Sequence, residues 1–149
     1  MPLFRGTSQL TIDGIHDNWY LETPRRPLSS SPILHEIADA WFFNKFGRKA
    51  RTTAIFCTQD FNEAQSFVQN DGHIVEVLLV EGEDYSLIYS EEVNDFTEVY
   101  ELSDIENPTL VEEWLNDRNY VEKKCISEIP EDFHGEIMLC CEKFETKRL

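Results

Sequence analysis

The stretch Arg51-Thr52-Thr53-Ala54-Ile55-Phe56-Cys57-Thr58 constrains the fold most. Its β-branched and aromatic side chains favour a strand over residues 51–58. Asp60 follows at once and is placed to cap a helix, with Glu63 at the spacing of a capping box. Four apolar residues then recur at helical spacing and are expected to form the buried face of that helix: Phe61, Ala64, Phe67 and Val68.

A longer helix is predicted upstream of this strand. Ser31 is a suitable N-cap, and Pro32 occupies the first helical position, where its missing N–H costs nothing. Five apolar residues then fall on one stripe: Leu34, Ile37, Ala38, Trp41 and Phe42. Gly47 is the expected C-cap. We therefore expect a helix over residues 32–46 with this stripe packed in the core.

The remaining elements outline an α+β fold. Strands are predicted at residues 3–8, 73–80, 85–89, 120–126 and 136–144, and a further helix at residues 108–118. Two of the strands are joined by the acidic turn Glu81-Gly82-Glu83-Asp84, which suggests an antiparallel pair. Residues 9–30 are rich in turn formers and are expected to form a surface loop. Helices separate strands without regular alternation, so mixed or antiparallel sheets flanked by a few helices are favoured.

Size and charge limit the functions that are available. A chain of 149 residues is expected to form a single domain over residues 1–149. Its 29 acidic and 13 basic residues give a formal net charge of −16, so direct binding to nucleic acid or to anionic bilayers is disfavoured. The first six residues show no charged-then-apolar leader, and no apolar run is long enough to span a membrane, so a cytoplasmic location is expected.

Neither the cysteines nor the histidines predict a metal site. Cys57, Cys125, Cys140 and Cys141 show no C-x-x-C spacing, and we expect reduced core residues. The four histidines are scattered along the chain: His16, His35, His73 and His134. No glycine-rich phosphate loop, H-E-x-x-H or G-x-S-x-G motif occurs.

The order of the elements resembles the ADP-ribosyltransferase superfamily. Three segments carry the resemblance: Leu3-Phe4-Arg5-Gly6-Thr7-Ser8; residues 51–58 with the following Ala64 and Phe67; and Gly135-Glu136-Ile137-Met138-Leu139. The resemblance implies a small stand-alone mono-ADP-ribosyltransferase that uses NAD to modify a protein. Such enzymes occur in bacteria and their phages, where they alter host or defence proteins.

The resemblance also implies roles for particular residues. Arg5, beside Gly6, matches the first-strand arginine that holds NAD. Thr52 and Thr53 are the nearest match to the hydroxyl residues that support the nicotinamide end of the site, and Phe56 matches an aromatic residue of the nicotinamide pocket. Glu136 matches the catalytic glutamate. We therefore expect Arg5, Thr52 or Thr53 and Glu136 to line one cleft, with Arg5 and Glu136 on adjacent or nearly adjacent strands.

These residue types suit the chemistry. Cleavage of the nicotinamide–ribose bond builds positive charge on the ribose, which a fixed carboxylate stabilises. An arginine offers paired donors to pyrophosphate or ribose oxygens. His134 stands two residues before Glu136, where arginine-modifying members carry Glu or Gln, and it could orient or deprotonate an acceptor other than arginine. Arg25-Arg26 is a basic cluster that could contact NAD phosphates or a partner.

Two other functions fit the sequence. The chain could be a non-enzymatic inhibitor that imitates the charge of DNA and covers a basic protein surface. Its binding face would then be the turn at residues 81–84 and a second acidic cluster: Glu91, Glu92, Asp95, Glu98, Glu101, Asp104 and Glu106. Alternatively, an ADP-ribosyltransferase-like fold that has lost NAD chemistry could simply bind a protein.

Overall fold

The computed structural model describes residues 2–25 and 31–149, and the eight strands within these ranges form one antiparallel sheet. The strands are β1 (Leu3–Gly6), β2 (Gly14–Asp17), β3 (Ile55–Thr58), β4 (Ile74–Leu79), β5 (Tyr85–Tyr89), β6 (Val121–Lys123), β7 (Glu136–Cys141) and β8 (Lys143–Arg148). Their spatial order is β2-β8-β4-β1-β3-β7-β5-β6. The predicted α+β class is confirmed, and of the mixed or antiparallel arrangements expected from the sequence the sheet has the antiparallel one.

Four α-helices accompany the sheet in the described residues: α1 (Pro32–Phe46), α2 (Ala50–Thr53), α3 (Phe61–Ser66) and α4 (Pro108–Asn116). The caps predicted for α1 and α3 are present, because the Ser31 and Asp60 side chains accept from the first backbone N–H groups of these helices. Gly47 ends α1 in the left-handed conformation, also as predicted. None of the helices in the described ranges is long and apolar enough to cross a bilayer.

The sheet carries an apolar core on each face. On one face, α1 and α4 pack over the even-numbered residues of β7, with Trp41, Phe42 and Trp114 against Met138 and Cys140. The other face holds Leu3, Ile137, Leu139 and Phe144, covered by residues such as Ile129 and Phe133. The predicted stripe of α1 is buried at Leu34, Ala38, Trp41 and Phe42 and partly buried at Ile37.

Several predicted strands have different bounds in the structure. Residues 51–53 belong to α2, and the strand begins only at Ile55. The predicted loop at residues 9–30 contains β2 and a 3₁₀ turn over Trp19–Leu21, while residues 26–30 of it lie outside the described residues. The predicted last strand divides at Glu142 into β7 and β8, and the strand at residues 120–126 shrinks to Val121–Lys123.

Three further expectations from the sequence are wrong. The strands β4 and β5 do not pair, because β1, β3 and β7 lie between them; local turn chemistry suggested a hairpin that the long-range pairings override. Phe61 and Phe67 are half-exposed, since only Ala64 of the short helix α3 is buried. Cys125 is exposed, whereas the other three cysteines are buried, and all four are free.

Two glycines bring neighbouring elements close at the centre of the sheet. A Cβ atom on Gly6 would lie 2.2 Å from the Ala64 carbonyl oxygen, so only glycine lets α3 rest on β1. A Cβ atom on Gly135 would lie 2.7 Å from the Val93 carbonyl oxygen. Here the Glu136 N–H donates to the Asn94 carbonyl at 2.8 Å, which fixes the start of β7.

Candidate functional site

A pocket of about 200 Å³ opens where β1, β3, β7 and α3 meet. Its wall includes four of the residues that the resemblance marked, Arg5, Gly6, Phe56 and Glu136, together with His134. The other lining residues are Phe4, Arg25, Cys57, Thr58, Glu63, Ala64, Phe67, Asn94 and Gly135. The pocket therefore joins residues from both ends of the chain.

A single residue pair joins β1 to β3 beside the pocket. Phe4 pairs with Thr58, and Thr58 in turn pairs with Glu136 of β7. Residues that face each other across antiparallel strands share a face, so Phe4, Thr58 and Glu136 start from one face, and Arg5 starts from the other. Arg5 nevertheless lines the same pocket, and its guanidinium donates to the Phe56 carbonyl at 3.0 Å. Arg5 and Glu136 therefore lie on nearly adjacent strands, as expected, with β3 between them.

Arg51 forms an ion pair with Glu136. The Arg51 guanidinium donates to Glu136 Oε1 at 2.5 Å, and the two side chains are only 12% and 19% exposed. Arg51 also stacks on two rings, its Cζ atom lying 4.3 Å from the Phe56 centroid and 4.4 Å from the Phe96 centroid. These contacts fix the carboxylate at the pocket wall, as electrostatic catalysis requires.

Arg25 contacts two aromatic rings of the site and has an unpaired nitrogen. Its Cζ atom lies 3.7 Å from the Phe56 centroid and 4.0 Å from the Tyr20 centroid. One of its guanidinium nitrogens is buried without a hydrogen-bond partner. Burial lowers the pKa of Arg25, although hydrogen bonding to Tyr20 opposes the shift. An unpaired buried donor is costly, and an anion in the pocket would relieve that cost.

Tyr20 links the two arginines of the opening. Its hydroxyl accepts from Arg5 at 3.4 Å. Burial raises the pKa of Tyr20, but the hydrogen bond and charge of Arg25 and the charge of Arg5 outweigh it, so the pKa lies below its ordinary value. Asn18 fixes this segment by donating to the Thr53 and Cys141 carbonyls at 2.8 and 2.9 Å. Within the described residues, neither Arg5 nor Arg25 forms an ion pair with a carboxylate.

Thr52 and Thr53 do not line this pocket. The Thr52 hydroxyl donates to Asp39 Oδ2 at 2.7 Å and lies 2.8 Å from His35 Nε2, so it joins α2 to α1. The Thr53 hydroxyl donates to the Lys49 carbonyl at 3.1 Å. Both threonines face away because residues 50–53 coil into a helix instead of extending the strand.

The remaining reactive groups are a histidine at the rim and a thiol in the wall. His134 Nδ1 lies 3.1 Å from Asp60 Oδ2. Burial raises the pKa of Cys57 to about 12, so its thiol is not a nucleophile near neutral pH. Among the described residues, no group of three His, Cys, Asp or Glu side chains is placed to hold a metal ion.

Sequence reasoning missed Tyr20, Arg51 and Asp60 as parts of the site. Arg51 had been placed in a strand, and Tyr20 in a loop without structure. Asp60 was expected only as a helix cap, which it also is. No local pattern in the sequence distinguishes Tyr20 or Arg51, because their partners Arg5 and Glu136 are distant in the chain.

No protein-family model, curated protein or solved structure matches this chain.

Proposed function

We propose that this chain binds NAD in the pocket between β1, β3 and β7 and transfers the ADP-ribosyl group to a protein acceptor in the cytoplasm. The sheet would then be an ADP-ribosyltransferase-like one. The observation that carries the proposal is the convergence of Arg5, Arg25, Phe56 and Glu136 on one pocket. Together they match the pyrophosphate, the nicotinamide ring and the ribose of NAD.

The two arginines suit the pyrophosphate. Arg5 and Arg25 lack carboxylate partners in the described residues, although acidic residues outnumber basic ones more than twofold. In such a chain, two neighbouring guanidinium groups without a carboxylate favour an anionic ligand. Guanidinium groups bind phosphate oxygens through paired, charge-assisted hydrogen bonds.

Phe56 and Glu136 suit the nicotinamide riboside end. The Phe56 ring offers an apolar platform for a flat heterocycle, once Arg25 turns from that ring toward the phosphates. Glu136 presents a fixed carboxylate to the ribose. As the glycosidic bond breaks, this carboxylate stabilises the developing positive charge more than it stabilises bound NAD, so it accelerates the reaction.

The pocket volume limits how NAD can lie. At about 200 Å³, the pocket is smaller than the roughly 300–1,000 Å³ of common ligand sites, so it holds one end of a dinucleotide. A second pocket of about 220 Å³ shares Arg5, Gly6 and Phe67 with the first. Arg5 therefore stands between two pockets, which is the place for the pyrophosphate of a ligand that spans both.

Thermal melting with NAD tests the proposal. Ligand at a thousandfold excess over its Kd stabilises the folded state by about 4 kcal/mol. We expect a rise in Tm with NAD and a smaller rise with nicotinamide alone, which lacks the phosphates. An unchanged Tm in millimolar NAD would remove the NAD proposal and with it the transferase.

The alternative, an inhibitor that imitates DNA, has one observation in its favour, the net charge of −16. The carboxylates of the second acidic cluster, however, mostly form hydrogen bonds within the protein. Five of its seven carboxylates, those of Glu92, Asp95, Glu98, Glu101 and Asp104, accept hydrogen bonds from the protein itself. These internal contacts account for the clustered carboxylates without a basic partner protein. The pocket therefore supports NAD chemistry better than the acidic surface supports the inhibitor function.

A further inference from the structure

His134 is held rigidly at the pocket rim although its side chain is exposed. Its carbonyl accepts from the Thr58 hydroxyl at 3.2 Å, and the preceding carbonyl, of Phe133, accepts from Gln59 Nε2 at 3.2 Å. Thr58 and Gln59 are both buried. The imidazole, 67% exposed, therefore projects from a fixed backbone, the arrangement that a functional side chain needs.

Asp60 orients the imidazole. Its two carboxylate oxygens have separate tasks: Oδ1 accepts from the Asn62 N–H at 2.8 Å and caps α3, whereas Oδ2 lies 3.1 Å from His134 Nδ1. An ionised carboxylate only accepts hydrogen bonds, so the proton of a neutral His134 ring sits on Nδ1. The Nε2 lone pair is then free to accept a proton.

His134 and Glu136 border the same pocket from neighbouring positions in the chain. His134 lies two residues before Glu136, outside β7, and Gly135 between them forms the bend at which the strand begins. Both residues line the pocket. A base and a charge-stabilising carboxylate thus lie at one pocket.

We propose that His134, oriented by Asp60, is the general base that activates a hydroxyl acceptor, and that the protein substrate is modified on serine, threonine or another alcohol side chain. This inference rests on the proposed NAD transferase function. The hydroxyl oxygen bonds to C1′ of the ribose while the bond from C1′ to nicotinamide nitrogen breaks. Nicotinamide leaves as a neutral molecule with the bonding electron pair, and the hydroxyl proton passes to His134 Nε2.

The chemistry of the site favours an alcohol over other acceptors. A hydroxyl is a poor nucleophile until it loses its proton, so a nearby imidazole benefits it most. A carboxylate acceptor is already ionised and needs no base. A guanidinium acceptor holds its proton too tightly for an imidazole and is repelled by Arg5 and Arg25 in the same pocket.

Small acceptors test this proposal without knowledge of the natural target. Wild type, H134Q, D60N and the control H16Q are incubated with NAD and either methanol or agmatine, which carries a guanidinium group. Mass spectrometry separates methyl-ADP-ribose, free ADP-ribose and ADP-ribosylagmatine. Asn is as good an N-cap as Asp, so D60N keeps α3. His16 lies on the edge strand β2, contacts Thr146 of β8 and lines neither of the two pockets.

We expect wild type and H16Q to form methyl-ADP-ribose in preference to ADP-ribosylagmatine. H134Q is expected to lose about 10²-fold or more in that rate, the usual contribution of a general base. D60N is expected to lose less, with NAD affinity unchanged in both variants. Nitrogen NMR of His134 should show the proton on Nδ1 in wild type and a shift toward Nε2 in D60N.

Three results would overturn the assignment. Methanol transfer by H134Q at the wild-type rate would show that His134 is not the base, and agmatine as the preferred acceptor would show that the acceptor is a guanidinium group. In both cases NAD is still consumed, and the proposed function stands. If wild type neither binds nor consumes NAD, both the acceptor assignment and the proposed function fail.

Discussion

At the residue scale, the proposed function gives the Glu136 carboxylate a catalytic task, and the contact with Arg51 gives it a structural one. In E136Q the amide keeps the size and one acceptor but loses the charge that stabilises the breaking glycosidic bond. We expect NAD affinity to stay nearly constant while single-turnover transfer falls by about 10²–10³-fold, as for removal of one preorganised electrostatic partner. Transfer from labelled NAD, measured beside NAD titrations, checks this. Wild-type transfer by E136Q would mean that another carboxylate is the catalytic one.

The same substitution has a structural cost that the Arg51 contact explains. Arg51 is nearly buried and loses its charged partner in E136Q, so unfolding should require roughly 1–3 kcal/mol less. Replacing both partners, as in R51M/E136Q, removes the unpaired charge and should restore much of the loss. Urea unfolding of the single and double variants separates this effect from the catalytic one.

Arg25 gives a second prediction at this scale. Because one of its nitrogens is buried without a partner, R25M, which keeps the chain length, should leave the free energy of unfolding unchanged or raise it. Binding of ADP-ribose should weaken by roughly 10–100-fold, the value of charge-assisted hydrogen bonds. Calorimetric titration and urea unfolding measure the two quantities. A variant that binds like wild type but is less stable would make Arg25 a packing residue.

Some residues of the site could be predicted from sequence and others could not. Arg5, Phe56 and Glu136 lie on strands that the sequence pattern predicts, and the resemblance, not the pattern, marked them for the pocket that they line. Thr52 and Thr53 were misplaced because a β-branched pair next to a strand favours an extended chain, whereas the Thr52–Asp39 contact stabilises a helical turn. Arg51 and Asp60 act through partners that are distant in sequence, and no local pattern reveals such contacts.

At the element scale, α1 tests whether an apolar stripe in the sequence identifies the buried face of a helix. Trp41 is packed against Phe42 and Tyr120, and its indole N–H donates to Asn116 at 2.9 Å. W41A should therefore lower the free energy of unfolding by roughly 3–5 kcal/mol. F43A is the matched control on the same helix, because Phe43 is 50% exposed, and it should cost less than about 1 kcal/mol. Equal losses in the two variants would contradict the packing of α1.

The elements that sequence reasoning misplaced share one physical cause. The edge strand β2 has only four residues, and its pairing with β8 joins Gly14 to Thr146 across nearly the whole chain. Likewise, β4 and β5 are neighbours in sequence but pair with β1, β8, β6 and β7. The helices α1, α3 and α4 are fixed by local periodicity and caps, so the sequence predicted them, whereas α2 and the strand partners depend on contacts that arise only in the folded chain.

At the scale of the whole molecule, the net charge of −16 destabilises the folded state through repulsion between like charges. Glu91 and Glu106 are exposed, and their carboxylates form no hydrogen bond within the described chain. E91Q/E106Q should therefore raise Tm at low ionic strength, with an effect that fades as salt screens the repulsion. E98Q should lower Tm instead, because the Glu98 carboxylate accepts from the Asn94 and Asp95 N–H groups. Melting in a salt series distinguishes these outcomes.

The order of the strands in the sheet has a consequence for biosynthesis. Arg5 lies on β1 and Glu136 on β7, with β3 between them, so translation reaches the carboxylate long after the arginine. The strands β2 and β8 also meet only after residue 143 has been made. A nascent chain therefore carries the arginine without the carboxylate until β7 has been translated.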